Sequence, residues 1–222
     1  LQITILSSLF ESISGLTGTG FSTFKNIKYL DPTLILWRSS SQWVGGLFFL
    51  FFLILLFSNK KFNYKMTYLT YAGESNNKSE DNIKNNLLKI FIFYCVLSII
   101  YFSLLNLSGV RLFNSLNLTM TLVSSGGFIP SDSLNEIITT NYQKTIFIIC
   151  LIFSMLNFYF FFNIFNKKIL IKSHKEDLYL IVLAGIFILL IYFNKFDLLD
   201  IILSVASSLS NSGLTLLKNE NN

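Results

Sequence analysis

The sequence has few charged residues, and this scarcity excludes most classes of soluble protein. Only 13% of its 222 residues are Asp, Glu, Lys or Arg, whereas soluble domains carry about 25%. Prolines and cysteines number two each, and there is a single histidine. Apolar residues make up 52% of the chain, including 24 Phe. This composition excludes a disordered protein, a nucleic-acid-binding arm and an ordinary cytosolic enzyme, and it predicts that lipid is the main solvent.

The two cysteines, Cys95 and Cys150, both lie inside apolar runs. We therefore expect no disulfide between them, and their spacing does not predict a metal site. No glycine-rich phosphate loop follows a predicted strand, so we expect no bound nucleotide or other cofactor.

Four apolar segments are long enough to predict membrane-spanning helices. They are Leu34–Phe57, Leu87–Leu105, Thr145–Phe165 and Leu178–Phe193. Two polar connections between them, Ser58–Asn86 and Asn166–Asp177, are rich in lysine. Because lysine-rich loops remain on the cytoplasmic side, both connections are predicted to face the cytoplasm.

Three further apolar segments are too short to span a membrane, and all three fall on the opposite, outer side. They are Ile3–Leu16, Leu112–Val123 and Asp197–Leu209. We interpret them as re-entrant helices, which need surrounding protein or a watery cavity. The predicted fold is all-α: a polytopic membrane protein with four full spans and three re-entrant pore helices.

Each short segment is followed by the same pattern of an apolar residue, a hydroxyl residue, two small or polar residues, glycine and a bulky apolar residue. We call the four central residues the glycine loops: the first is Thr17, Gly18, Thr19 and Gly20; the second is Ser124, Ser125, Gly126 and Gly127; the third is Ser210, Asn211, Ser212 and Gly213. This is an internal repeat of helix, short helix, glycine loop and helix.

The repeat predicts the organisation of the chain. Residues 1–57 are predicted to be the end of a first unit, 87–165 a complete second unit and 178–222 the start of a third unit. Residues 58–86 and 166–177 are predicted to be the cytoplasmic loops between them.

The chemistry of such a unit favours an ion pathway. A short helix directs its partly negative carbonyl end into the membrane, and several extended loops around one axis replace the water shell of a cation such as K⁺ with carbonyl oxygens. The hydroxyl groups of Thr17, Ser124 and Ser210 can add further oxygens. Close packing of helices through Gly and Ser is the simpler alternative. Paired broken helices of a transporter are another, but they require repeats of opposite topology.

At these residues the chain resembles the TrkH/KtrB family of bacterial potassium-uptake proteins. The most specific motif is Trp37-Arg38-Ser39-Ser40-Ser41-Gln42-Trp43-Val44-Gly45-Gly46. The stretches 9–21 and 107–128 resemble the first and second pore loops, and Ala72-Gly73-Glu74, Leu156-Asn157-Phe158 and Glu176–Leu180 resemble later landmarks. The likeness covers essentially the whole chain.

The resemblance implies that Gly20, Gly127 and Gly213 are filter glycines and that the other residues of the glycine loops present carbonyls to K⁺. It also implies a homodimer in the lipid bilayer of the inner membrane, with the filter loops outside, and a cytosolic nucleotide-binding regulatory subunit of the TrkA/KtrA type. Gly18 stands where threonine is usual. The third loop lacks the threonine-rich character of the family's third loop, and its Asn211 is similar to the fourth loop of some members, but its order along the chain favours the third.

Members of the family have four such units. We therefore expect that this chain alone does not conduct, and a truncated, non-transporting membrane remnant or scaffold is the alternative function. We expect neither enzymatic activity nor binding to nucleic acid.

Several charged residues have two interpretations each. Arg38 is expected to extend outward to the membrane surface, with a salt bridge near the pore mouth as the alternative. Glu11 either attracts cations or stabilises a helix. Asp197 and Asp200 are expected to stabilise the start of the third short helix, and His174 is expected to be solvated.

Overall fold

A computed structural model describes residues 4–24, 26–57, 80–155 and 197–216, with five single positions between 182 and 188. Several predictions fall outside these residues: most of the two lysine-rich connections, His174, the predicted span Leu178–Phe193 apart from those five positions, and the landmarks at 72–74, 156–158 and 176–180. The described part is helical and contains no strand.

Six α-helices are found in the described ranges. They are α1 Ile5–Leu16, α2 Pro32–Phe57, α3 Glu80–Leu107, α4 Leu112–Ser124, α5 Asn141–Met155 and α6 Leu198–Leu209. Two short 3₁₀ turns, Ile27–Tyr29 and Leu134–Glu136, follow the first and second glycine loops.

The three short helices predicted from the repeat are present as α1, α4 and α6. They begin at equivalent positions of the repeat, at Ile5, Leu112 and Leu198. Thr4 caps α1, because its hydroxyl oxygen accepts a hydrogen bond from the Ser7 amide at 3.3 Å, which satisfies one of the free N–H groups of the first turn.

The long helices α2 and α3 lie where the first two spans are predicted. In the described part of the chain, one segment, Leu87–Leu107 of α3, is long and apolar enough to cross a membrane. Helix α3 begins at Glu80, within the segment predicted as a loop. Its first two turns are polar and extend the helix ahead of the apolar segment that was predicted to span the membrane.

Helix α2 packs between α1 and α4, and two adjacent glycines allow this close packing. A side chain at Gly45 would collide with the backbone of Leu16 at the end of α1. A Cβ at Gly46 would lie 2.9 Å from Cβ of Ser124 at the end of α4. The adjacent glycines of the most specific motif therefore hold the ends of two short helices against the same long helix.

Aromatic side chains fix α2 to α3. The Trp43 indole N–H donates to the Ser98 hydroxyl at 2.9 Å, and the Tyr94 hydroxyl donates to the Trp43 carbonyl at 2.9 Å. The two rings lie 5.1 Å apart between centroids. Tyr94 is fully buried in the apolar core that α3, α4 and α5 share. These contacts therefore fix the position of α2 relative to α3.

Candidate ion-filter site

The second residue of each glycine loop has the same left-handed backbone. The φ angles are +66° at Gly18, +55° at Ser125 and +61° at Asn211. Residues other than glycine and asparagine rarely adopt this backbone conformation. The glycine at position 18 therefore avoids the backbone strain that Ser125 bears. The departure from threonine at Gly18 is thus compatible with the backbone that the three loops share.

The fifth residue of the repeat pattern, the glycine, also has positive φ in every loop. The angles are +77° at Gly20, +98° at Gly127 and +66° at Gly213. Only glycine adopts these angles at no steric cost. The glycines that the repeat aligned therefore occupy equivalent backbone positions.

The glycine loops contact one another in chain order. A Cβ at Gly20 would collide with the carbonyl oxygen of Gly126, and a Cβ at Gly127 would lie 2.5 Å from the carbonyl oxygen of Ser212. A Cβ added at Gly213 would meet no atom of the described residues within 4 Å. The structure thus brings the three predicted loops together: Gly20 and Gly127 each face the third residue of the next loop.

Backbone hydrogen bonds attach each loop to its own short helix in the same way. The amide of the third loop residue donates to a carbonyl five residues earlier: Thr19 to Ser14 at 3.0 Å, Gly126 to Thr121 at 2.9 Å, and Ser212 to Ser207 at 3.1 Å. This bond closes the helix C-terminus over the left-handed residue, as in a Schellman motif.

Hydroxyl groups on the short helices hold the segments that follow the first two loops. The Ser14 hydroxyl donates to the Phe21 carbonyl at 2.6 Å, and the Thr121 hydroxyl donates to the Phe128 carbonyl at 2.7 Å. Ser207 has the equivalent position, but its hydroxyl bonds within the third loop. The repeat pattern as predicted does not include these residues, although extending it toward the N-terminus aligns all three hydroxyls.

The first residues of the loops direct their hydroxyl hydrogens back to their own helices. Thr17 donates to the Ile13 carbonyl at 2.7 Å, Ser124 to the Met120 carbonyl at 2.8 Å, and Ser210 to the Ser207 carbonyl at 3.1 Å. Each hydroxyl oxygen keeps lone pairs for a further contact.

The expectation that Arg38 extends outward is wrong. The Arg38 side chain is 1% exposed and the Glu11 side chain 2%, and the Arg38 Nε lies 3.0 Å from the Glu11 Oε2. The alternative, a salt bridge, is the arrangement found. A carboxylate within reach offsets the cost of burying the guanidinium, so Arg38 need not extend to a polar surface.

Glu11 connects its helix to the segment after the first loop. Its Oε1 accepts hydrogen bonds from the Ser22 hydroxyl at 2.7 Å and from the Thr23 amide at 2.6 Å. A buried, paired carboxylate does not attract cations from outside. Of the two interpretations of Glu11, the structural one is supported, although the contact is with the loop rather than with a helix terminus.

The Arg38 guanidinium also lies over the rings of Phe128 and Phe24, at 4.2 and 5.5 Å from their centroids. Such stacking stabilises a cation in an apolar site. Arg38 thus contacts residues beyond both the first and the second glycine loop.

Polar contacts join the segments outside the loops. Asp132 accepts from the Ile27 amide, and the Asn135 side chain donates to the Leu216 carbonyl at 3.1 Å. Asp200 lies in the first turn of α6, as predicted, and it also pairs with Lys144 at 2.6 Å. Polar contacts outside the glycine loops therefore connect consecutive units of the repeat.

No family model matches the chain. It is 28% identical over 220 residues to an uncharacterized cation transporter of Methanocaldococcus jannaschii, covering 96% of this chain and 44% of that protein. It is 25% identical over 132 residues to the Trk system potassium uptake protein TrkI of Halomonas elongata, covering 60% of this chain and 27% of that one. Over 169 residues it is 22% identical to TrkH of Salmonella typhimurium, covering 75% and 35%.

The fold is that of a solved potassium transporter, TrkH from Vibrio parahaemolyticus. The TM-score is 0.71 at 19% identity, over 96% of this chain and 46% of that one. The resemblance to Trk-type potassium-uptake proteins is thus confirmed, and the relatives named here are transporters rather than enzymes. The chain spans less than half the length of each of these relatives.

Proposed function

We propose that the three glycine loops form part of a potassium filter in a membrane transporter. The observation that carries this proposal is the succession of contacts from Gly20 to the second loop and from Gly127 to the third. Loops of the same backbone conformation that follow one another around an axis direct carbonyl oxygens toward a dehydrated cation. The named relatives, which are potassium uptake proteins or a cation transporter, support K⁺ as the transported ion.

The proposal includes the membrane arrangement expected from the sequence. Four helices span the inner membrane, α1, α4 and α6 enter it from the outer side, and the lysine-rich connections face the cytoplasm. The homodimer and the cytosolic nucleotide-binding subunit of the TrkA/KtrA type belong to the same proposal. Permeation requires no covalent chemistry and no bound cofactor.

Growth rescue tests the transport function directly. We expect the full-length gene product to restore growth of a bacterium that lacks its own potassium-uptake systems, in medium with low K⁺. A matched strain that expresses the Gly127→Val variant is expected not to grow. Failure of the unaltered protein to rescue growth, despite its presence in the membrane, would favour the non-transporting remnant.

The 222-residue chain alone is expected to give no potassium-selective flux in liposomes. Three loops do not close a four-fold ring, and an added Cβ at Gly213 meets no atom of the described residues within 4 Å. The measurement is ⁸⁶Rb⁺ uptake into liposomes, with the full-length gene product under the same conditions as the control. Selective flux through the short chain would contradict the requirement for a fourth loop.

A further inference from the structure

Gln42 reaches the second glycine loop from a different unit of the repeat. It lies on α2, is fully buried, and its Oε1 accepts a hydrogen bond from the Phe128 amide at 3.2 Å. The Thr121 hydroxyl lies 3.3 Å from the same oxygen. The Gln42 Nε2 has no hydrogen-bond partner among the described residues.

This contact determines the orientation of a peptide group in the loop. The Phe128 N–H and the Gly127 C=O belong to one peptide unit, and the described backbone has no cis peptide bond. In a trans peptide the N–H and C=O point in opposite directions. Because the N–H points to Gln42, the Gly127 carbonyl points away from α2.

The composition of the second loop leaves room for this glutamine. A Cβ at Gly126 would collide with the amide of Gln42. The first and third loops have Thr19 and Ser212 at the equivalent position. Gly126 does not have positive φ, so the glycine is required by the neighbouring side chain and not by the backbone angle.

We propose that Gln42 is a positioning residue for ion selectivity: it prevents rotation of the peptide between Gly127 and Phe128 and so keeps the Gly127 carbonyl directed at the ion. This inference rests on the proposed filter function. A filter with fewer carbonyls, or with rotated ones, discriminates less between K⁺ and Na⁺. Loss of the Gln42 acceptor is therefore expected to lower selectivity even where the amount of folded protein is unchanged.

The first test is Gln42→Leu in the full-length gene product. Leucine has a similar size but accepts no hydrogen bond. We expect the K⁺/Na⁺ permeability ratio to fall by about tenfold, because the buried Phe128 N–H loses its acceptor and no longer holds the peptide in place. The ratio is measured from ⁸⁶Rb⁺ and ²²Na⁺ uptake into liposomes.

Gln143→Leu is the matched control. Gln143 is also buried, and its side-chain oxygen also accepts a backbone amide, that of Thr139 at 3.0 Å, but at the start of α5. This variant is expected to lower thermal stability and to leave the permeability ratio unchanged. An equal loss of selectivity in both variants would show a general effect of destabilisation and would overturn the proposal.

Gly126→Ala provides a second test that does not remove Gln42. The added methyl group displaces the glutamine amide, so we expect the same loss of selectivity. In a Gln42→Ala background the methyl group meets no glutamine, so Gly126→Ala adds little, and the two effects are non-additive. Additive effects, or full selectivity in Gly126→Ala and Gln42→Leu, would overturn the inference.

These outcomes are distinct from failure of the proposed function. If Gly127→Val abolishes uptake while the Gln42 variants retain full selectivity, the filter stands and the role of Gln42 is wrong. If Gly127→Val leaves uptake intact, the filter itself is wrong. Should Gln42→Leu fail to reach the membrane, Gly126→Ala and the double variant decide the question.

Discussion

We expect that replacing Gly127 with valine abolishes potassium uptake by the full-length gene product and leaves its membrane insertion intact. The Cβ of any side chain at this position would lie 2.5 Å from the carbonyl oxygen of Ser212, where unbonded carbon and oxygen need roughly 3.3 Å. The third loop must therefore move. A left-handed backbone at φ +98° adds strain of about 1–3 kcal/mol for a residue other than glycine.

Even alanine at position 127 is expected to reduce uptake by at least about tenfold, since strain of this size already shifts an equilibrium by that factor. Gly109→Ala is the matched control, because Gly109 has φ +90° but its added Cβ meets only the end of the Gln143 side chain, at 3.8 Å. Both variants bear backbone strain, but only the one at Gly127 displaces a neighbouring loop. Equal uptake by the two alanine variants would refute the assignment of Gly127 to the filter.

Removing one partner of the Arg38–Glu11 pair is expected to be the most destabilising change in the described part of the chain. Arg38→Met leaves the Glu11 carboxylate buried without its cation, which costs about 3–5 kcal/mol. Glu11→Gln leaves the guanidinium buried, and it also weakens the hydrogen bonds to Ser22 and Thr23 that hold the segment after the first loop. The measurement is thermal unfolding of the purified protein in detergent.

The double variant Glu11→Gln, Arg38→Met is expected to recover most of the lost stability, because no unpaired charge remains buried. The Lys144–Asp200 pair provides the comparison: its side chains are 16% and 19% exposed, so Lys144→Met is expected to cost about 1 kcal/mol or less. Two results would contradict the view that burial determines the cost of breaking an ion pair. One is a double variant less stable than both single variants, and the other is a loss of stability in Lys144→Met equal to that in Arg38→Met.

The sequence predicted the local parts of the site. The three short helices and the register of the glycine loops followed from an internal repeat, and the structure has left-handed glycines at Gly20, Gly127 and Gly213. These features were predictable because positive φ, helix length and helix termination depend on neighbouring residues only.

Contacts between residues far apart in the chain could not be predicted from the sequence. Gln42 and Phe128 lie 86 positions apart, and Arg38 and Glu11 lie 27 apart. Arg38 was expected to extend outward, because its distance from the start of an apolar run says nothing about a carboxylate on another helix. Gln42 lay within the most specific motif, but its partner could not be identified without the packing of α2 against α4.

Thus the scarcity of charge and the repeated glycine pattern by themselves determined the class of protein and the three loops, because composition and backbone preference act locally. Only the tertiary structure decided which loop contacts which, that Arg38 pairs with Glu11, and that Gln42 orients the peptide after Gly127. The physical reason is that these interactions depend on how helices distant in the sequence pack together, and close packing at Gly45 and Gly46 brings them within hydrogen-bonding distance.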